Sequence, residues 1–133
     1  VVGDPFSEST MMGPIVNSMA CERILGVMSH AATSGQGRII AGGGRFGGEL
    51  AGGYFIEPTV FADVDNASPL AREEIFGPVL SILPYGSVDE AVAIANDTPY
   101  GLSSYISGEP EEARAVGARL RTGMVHLNGA GTC

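Results

Sequence analysis

The stretch Glu73-Glu74-Ile75-Phe76-Gly77-Pro78-Val79 sets two acids directly before an aromatic residue, a glycine and a proline. A doubled carboxylate can bind a metal ion, exchange protons with a substrate, hold a polar ligand or simply face water. A hard cation wants more oxygen ligands than these residues offer. An acid and a base working across one bond stand apart on separate elements, not side by side in sequence. A solvated loop and a hand for a polar ligand stay open. Ile75 and Phe76 follow the acids at once, and Gly77-Pro78 turns the chain into an apolar run. An acid so placed lies at a strand end beside a rigid apolar neighbour. That suits a carboxylate that hydrogen-bonds a ligand, with Phe76 as a wall beside it.

Other residues that could do chemistry are less well placed. Gly42-Gly43-Gly44-Arg45-Phe46-Gly47 satisfies GxGxxG, but the pattern must open a helix whose N-terminus receives a pyrophosphate. Here it runs into Gly48, Glu49 and a further Gly-Gly, so a surface turn is the expectation. His30 and His126 have no partner at metal-ligand spacing, and no metal site is expected. Cys21 is placed mid-helix and Cys133 is the last residue. Neither has a base or a helix N-terminus nearby to make a thiolate, so neither is assigned a catalytic role.

Composition narrows the classes. The chain has 133 residues, enough for one domain with a real core, and 44% of them are hydrophobic. The formal net charge is −8, which makes nucleic acid and anionic membranes poor partners. All 7 basic residues are arginine, so Schiff-base and P-loop lysines are excluded. No apolar run reaches the ~20 residues of a membrane span. Two thiols, far apart, fit a reducing compartment better than a disulfide scaffold, and a cytoplasmic location is expected. The first residues, Val1-Val2-Gly3-Asp4-Pro5, carry no initiator Met and no signal-peptide pattern, as an excerpt would.

The elements that must position the paired acids can be read in order. Residues 14–34 predict a helix: Pro14 suits its first position, and Val16, Ala20, Ile24, Val27 and Ala31 form one apolar stripe. Gly35 is a fitting stop. Residues 38–41 predict a strand, and a segment with seven glycines between Gly42 and Gly53 follows. Residues 54–56 and 59–64 look extended, interrupted by Pro58. Pro78 to Tyr85 predicts a buried strand. Ser87-Val88-Asp89-Glu90 is a capping box opening a helix to about Asn96. Tyr100 to Ser107 predicts a strand. A third helix has Glu109, Glu111 and Glu112 in its first turn, Arg119 and Arg121 in its last, and Gly123 as its stop. Met124 to Asn128 predicts the final strand. This alternation argues for an α/β fold with crossover units and a largely parallel sheet, whose ligands gather beyond the strand ends.

Six short pieces in this order resemble the aldehyde dehydrogenase superfamily, the NAD(P)-dependent enzymes that oxidise aldehydes to acids. They are Val2-Gly3-Asp4-Pro5; Thr10 with Gly13-Pro14; Gly53-Tyr54-Phe55-Ile56 with Pro58-Thr59-Val60; Glu73 to Val79; Ala95-Asn96 with Tyr100-Gly101-Leu102; and Gly123 to Asn128. Each is weak alone, and Glu73 to Val79 is the most specific. The resemblance implies an α/β three-layer sandwich and makes residues 1–133 the second part of a catalytic domain. It implies NAD or NADP as cofactor, an aldehyde as substrate, the remainder of the dehydrogenase chain as partner, and a homo-oligomer when complete. The family's nucleophilic cysteine, general base and dinucleotide-binding domain precede this region, so no catalytic residue is expected within it.

One role carries over from the family's motif. Its second glutamate binds the nicotinamide ribose, and its phenylalanine packs beside the nicotinamide ring. These fall on Glu74 and Phe76, while Glu73, Gly77 and Pro78 are expected to shape the backbone. Asn128, at the end of the last strand, is expected to be structural, with positioning of the active-site loop as the alternative. Two other readings stand beside this one. A non-catalytic truncated or structural fragment of the same family would also lack the nucleophile. A small flavodoxin-like domain would fit the composition but leaves Glu73 to Val79 unexplained. Taken alone, the chain is expected to be fragile and prone to pair or exchange with other copies through exposed apolar strand edges.

Overall fold

The computed structural model describes residues 1–129; Cys133 lies outside them. The chain divides into two compact units, the first Val1–Pro84 and the second starting at Tyr85. Both are α/β in composition.

The first unit is built on helix α1, Ser18–Thr33. It starts four residues later than Pro14 suggests, because Asn17 is the residue that caps it: its side-chain oxygen accepts the Ala20 N–H at 2.8 Å. Residues before Asn17 are held elsewhere, with the Ile15 N–H donated to the Tyr54 carbonyl at 2.8 Å. The buried stripe differs from the expected one at several positions. Cys21, Ile24, Met28 and Ala31 face the core, whereas Val16 lies outside the helix and is exposed. Gly35, at φ 72°, turns the chain out of the helix.

Strand β1 (Arg38–Ala41), strand β2 (Thr59–Ala62) and strand β3 (Val79–Ser81) form one sheet in that order. β1 and β2 are antiparallel, with Ile39 opposite Phe61; β2 and β3 are parallel, with Thr59 opposite Val79. Between β2 and β3 runs helix α2 (Pro69–Arg72), a single turn. Phe61, fully buried on β2, meets Ile24, Met28, Ile56, Val64 and Leu70 in the core. β2 stops short of the expected Val64 because Asp63 takes a left-handed conformation, φ 55°. The Val64 N–H still reaches the Ile82 carbonyl at 3.1 Å, so pairing resumes beyond the kink. Residues 54–56 form only a bridge, between Ile56 and Arg45, rather than a strand.

The glycine-rich segment after β1 opens no α-helix. It passes into a short 3₁₀ turn, Gly48–Leu50, and its N–H groups are used internally: Gly43 donates to Thr59 Oγ1 at 3.0 Å and Gly44 to Glu57 Oε2 at 3.2 Å. Gly42 has φ 67°, and a Cβ there would lie 2.3 Å from the Pro58 carbonyl oxygen. Gly42→Ala therefore combines a left-handed penalty with a clash against backbone. It is expected to cost about 3 kcal/mol, read as a lower urea midpoint at unchanged m-value.

The second unit is a strand–helix–strand crossover with a preceding helix. Helix α3 spans Val88–Asn96, strand β4 Ser103–Ile106, helix α4 Pro110–Gly117 and strand β5 Met124–Leu127. β4 and β5 pair in parallel, Tyr105 opposite His126. Ser87 caps α3 as expected, accepting the Glu90 N–H at 3.2 Å, but the Glu90 carboxylate reaches back to the N–H of Gly86, at 2.6 Å, one residue before the cap. α4 opens on the side chain of Glu109, which accepts from the N–H groups of Glu111 and Glu112. It closes at Gly117, so Arg119 and Arg121 are not in its last turn. The Asn96 side chain takes over their backbone, donating to the Arg119 carbonyl at 2.9 Å and accepting the Arg121 N–H at 2.7 Å. Arg119 then pairs with Asp89 at 2.6 Å, and Arg121 donates to the carbonyls of Asn96 and Thr98. Gly123 starts β5 pairing rather than stopping a helix, donating to the Gly101 carbonyl at 2.8 Å. Among the described residues this unit buries only Val92 and Ala113 of its hydrophobic side chains and leaves Leu102 80% exposed.

Candidate functional site

The paired acids lie on the connection from α2 to β3. The Glu73 N–H closes the last turn of α2 on the Pro69 carbonyl, at 2.9 Å, and Glu73 itself is already extended, φ −106° and ψ 145°. Glu73 and Glu74 are both exposed. Ile75 turns inward and packs against the core. Phe76 turns back out, with 79% of its surface exposed. Pro78 accepts the Thr59 N–H at 2.8 Å and so starts the pairing of β2 with β3. The sequence therefore alternates anchor and offer: Ile75 and Gly77-Pro78 hold the loop, and Glu74 and Phe76 face outward from it.

Phe76 has φ 51°, a left-handed conformation that costs a non-glycine residue about 1–2 kcal/mol. Leaving its ring in water forgoes about 2 kcal/mol more of burial. A large aromatic in a costly backbone state on the surface of the described residues makes this loop the candidate site. Among the described residues, the Glu74 side chain takes part in no ion pair or hydrogen bond, so its four lone-pair positions face outward.

The flanks are gripped by α1, a feature not expected from the sequence. The Arg23 guanidinium donates to the Ile75 carbonyl. Gly77 sits flush on Ile24: a Cβ there would come within 2.8 Å of Ile24 Cδ1 and 3.1 Å of Cγ1 and Cγ2. Arg23 and Ile75 are 52 positions apart, so no local pattern links them.

Several other residues singled out in the sequence make contacts within the scaffold or lie on its surface. Cys21 is fully buried and lies in the first turn of α1, not mid-helix; its N–H bonds the Asn17 carbonyl, and its sulfur accepts from Arg45 Nη2 at 3.4 Å. Arg45 also pairs with Glu22 at 3.2 Å. His30 is exposed near the end of α1. His126 stacks on Tyr105, ring centroids 4.4 Å apart. Asn128 accepts the Gly108 N–H at 2.9 Å through Oδ1 and ties the β4–α4 turn to the end of β5. Among the described residues no group of three or more His, Cys, Asp or Glu side chains could hold a metal ion, and no helix is long and apolar enough to cross a membrane.

The family model described as "Aldehyde dehydrogenase family" matches residues 1–133. The chain belongs to the aldehyde dehydrogenase family. It is 50% identical over 131 residues to a 3-succinoylsemialdehyde-pyridine dehydrogenase of a Pseudomonas species, covering 98% of this chain and 27% of that protein. It is 43% identical over 129 residues to geranial dehydrogenase of Castellaniella defragrans, covering 96% of this chain and 26% of that protein. The chain thus spans about a quarter of the length of the curated relatives it matches. Among solved structures it superimposes with a TM-score of 0.91 and 46% identity on a mutant of aldehyde dehydrogenase C from Pseudomonas syringae, complexed with NAD+ and octanal. That match covers 100% of this chain and 27% of the other. An aldehyde dehydrogenase of Mycobacterium tuberculosis complexed with NAD+ matches with a TM-score of 0.91 and 39% identity, over 98% of this chain and 27% of its own. The α/β class expected from the sequence is borne out by these matches and by the parallel pairing of β2 with β3 and β4 with β5.

Proposed function

We propose that residues 1–133 are part of the catalytic domain of an NAD(P)-dependent aldehyde dehydrogenase and hold the nicotinamide end of the cofactor. The observation that carries this reading is the loop itself, with an unengaged carboxylate at Glu74 and an outward aromatic at Phe76 on a backbone braced at both flanks. Those two groups fit the two surfaces a nicotinamide riboside presents. A ribose diol offers two O–H donors, and one carboxylate accepts both in charge-assisted bonds. A planar ring needs an apolar wall, and Phe76 is a stiff one.

The bound cofactor supplies the hydride acceptor. The work of these residues is placement. Fixing the ribose at Glu74 and the ring edge at Phe76 removes rotational freedom before the reaction, which is where oriented encounters gain most of their rate. The nucleophile that would form a cysteine thioester is placed outside this region. Cys21 is not assigned that role, because full burial keeps an aldehyde from reaching its sulfur. The aldehyde, the rest of the dehydrogenase chain and a second copy in a homo-oligomer are the partners this reading implies.

The test uses the complete protein with a panel of straight-chain, aromatic and terpenoid aldehydes and with NAD+ or NADP+. The expected result is stoichiometric formation of the carboxylic acid and the reduced cofactor. Absence of reduced cofactor with every aldehyde, from folded protein, would overturn the reading in favour of a non-catalytic family member.

A further inference from the structure

We infer that Arg23 is a positioning residue for the cofactor loop, acting through the Ile75 carbonyl to set the backbone of Phe76. The inference rests on the proposed role of Glu74 and Phe76. The Ile75 carbonyl belongs to the peptide unit directly before Phe76, and rotation of that unit about the following N–Cα bond is the φ of Phe76. The Arg23 guanidinium holds that carbonyl. On the other side, Gly77 is pressed on Ile24, and the Gly77 carbonyl accepts the Val79 N–H at 2.8 Å. Arg23 and Ile24 are consecutive residues of α1. One turn of one helix therefore clamps both flanks of a residue whose own ring, 79% exposed, contributes little packing to hold it at φ 51°.

The charge on Arg23 is available for this task. Among the described residues it forms no ion pair, and a guanidinium donating to a carbonyl makes a stronger bond than a neutral donor would. Without that bond the peptide unit before Phe76 can relax toward the ordinary β or α regions, and the ring and the neighbouring Glu74 carboxylate move with it.

The experiment compares Arg23→Met, Arg23→Lys, Glu74→Gln and the Arg23→Met/Glu74→Gln double variant in the complete protein, with NAD+ as probe. The readouts are NAD+ affinity, single-turnover hydride transfer, and amide exchange of residues 73–79. Arg23→Met is expected to weaken NAD+ binding and slow hydride transfer by about tenfold each and to speed amide exchange in the loop. Arg23→Lys, which keeps a charged donor, is expected to recover to within about threefold of the parent. The double variant is expected to lie within about twofold of the worse single variant, because both act through one loop. Arg23→Met within twofold of the parent while Glu74→Gln is impaired would overturn the inference and leave the cofactor reading intact. Fully additive losses would also overturn it. An unimpaired Glu74→Gln would remove the cofactor reading and this inference together. If Arg23→Met does not fold, Arg23→Gln takes its place with the same outcomes.

Discussion

Glu74→Gln is expected to slow single-turnover hydride transfer by about thirtyfold and to weaken NAD(P)+ binding, with little change in thermal stability. Glutamine keeps the length and shape of the side chain but replaces one acceptor oxygen by a donor and removes the charge. If the carboxylate accepts both ribose hydroxyls, one bond is lost and the other falls from charge-assisted to neutral. Hydrogen bonds to charged groups contribute about 1.5–3 kcal/mol, which is about one to two decades in rate or affinity. The fold is not expected to suffer, since Glu74 is exposed and engages no neighbour among the described residues. Glu73→Gln is the built-in comparison. Glu73 caps the end of α2, and among the described residues only its backbone is engaged, so that variant is expected to lie within about twofold of the parent. Stopped-flow mixing with a saturating aldehyde reads both. Equal effects at the two positions would show that the pair acts as a diffuse charge rather than through one acceptor.

The second large effect is in the core. Phe61→Ala is expected to destabilise the protein by about 4 kcal/mol. Phe61 is fully exposed to core neighbours and not to water, on the central strand of the sheet, where Ile24, Met28, Ile56 and Val64 share its cluster. Truncation forfeits the burial of the ring and leaves a cavity that a central strand paired on both edges cannot close. Ile24 contributes to the same cluster and also supports Gly77, so loosening this core should reach the candidate site. Denaturant unfolding measures the loss. The accompanying test is amide exchange of residues 73–79 in folded Phe61→Ala, expected to rise even where most of the protein stays native.

Local features were legible in the sequence where one residue decides them. Ser87 caps α3, Glu109 and its neighbours open α4, and the isoleucine and alanine at positions 24 and 31 face the core. Two of the failures involve a group elsewhere in the chain that overrides a local preference. Pro14 suits a helix start, but the Tyr54 carbonyl takes the Ile15 N–H and Asn17 takes the cap. Arg119 and Arg121 read as the end of a helix, but the Asn96 side chain draws their backbone into a turn. The candidate site divides in the same way. Its chemistry, an acid and an aromatic before Gly-Pro, lies within one short stretch and was visible there. Its support was not. Nothing near Ile75 hints that an arginine 52 positions earlier holds its carbonyl, or that Gly77 is glycine because Ile24 lies against it.

The most direct test of the central claim is the crystal structure of the complete protein with NAD+ bound. The expected result places the Glu74 carboxylate within about 2.5–3.0 Å of both hydroxyls of the nicotinamide ribose, with the Phe76 ring against the nicotinamide and φ of Phe76 still positive. A nicotinamide ribose held by other residues, with Glu74 facing solvent, would contradict it.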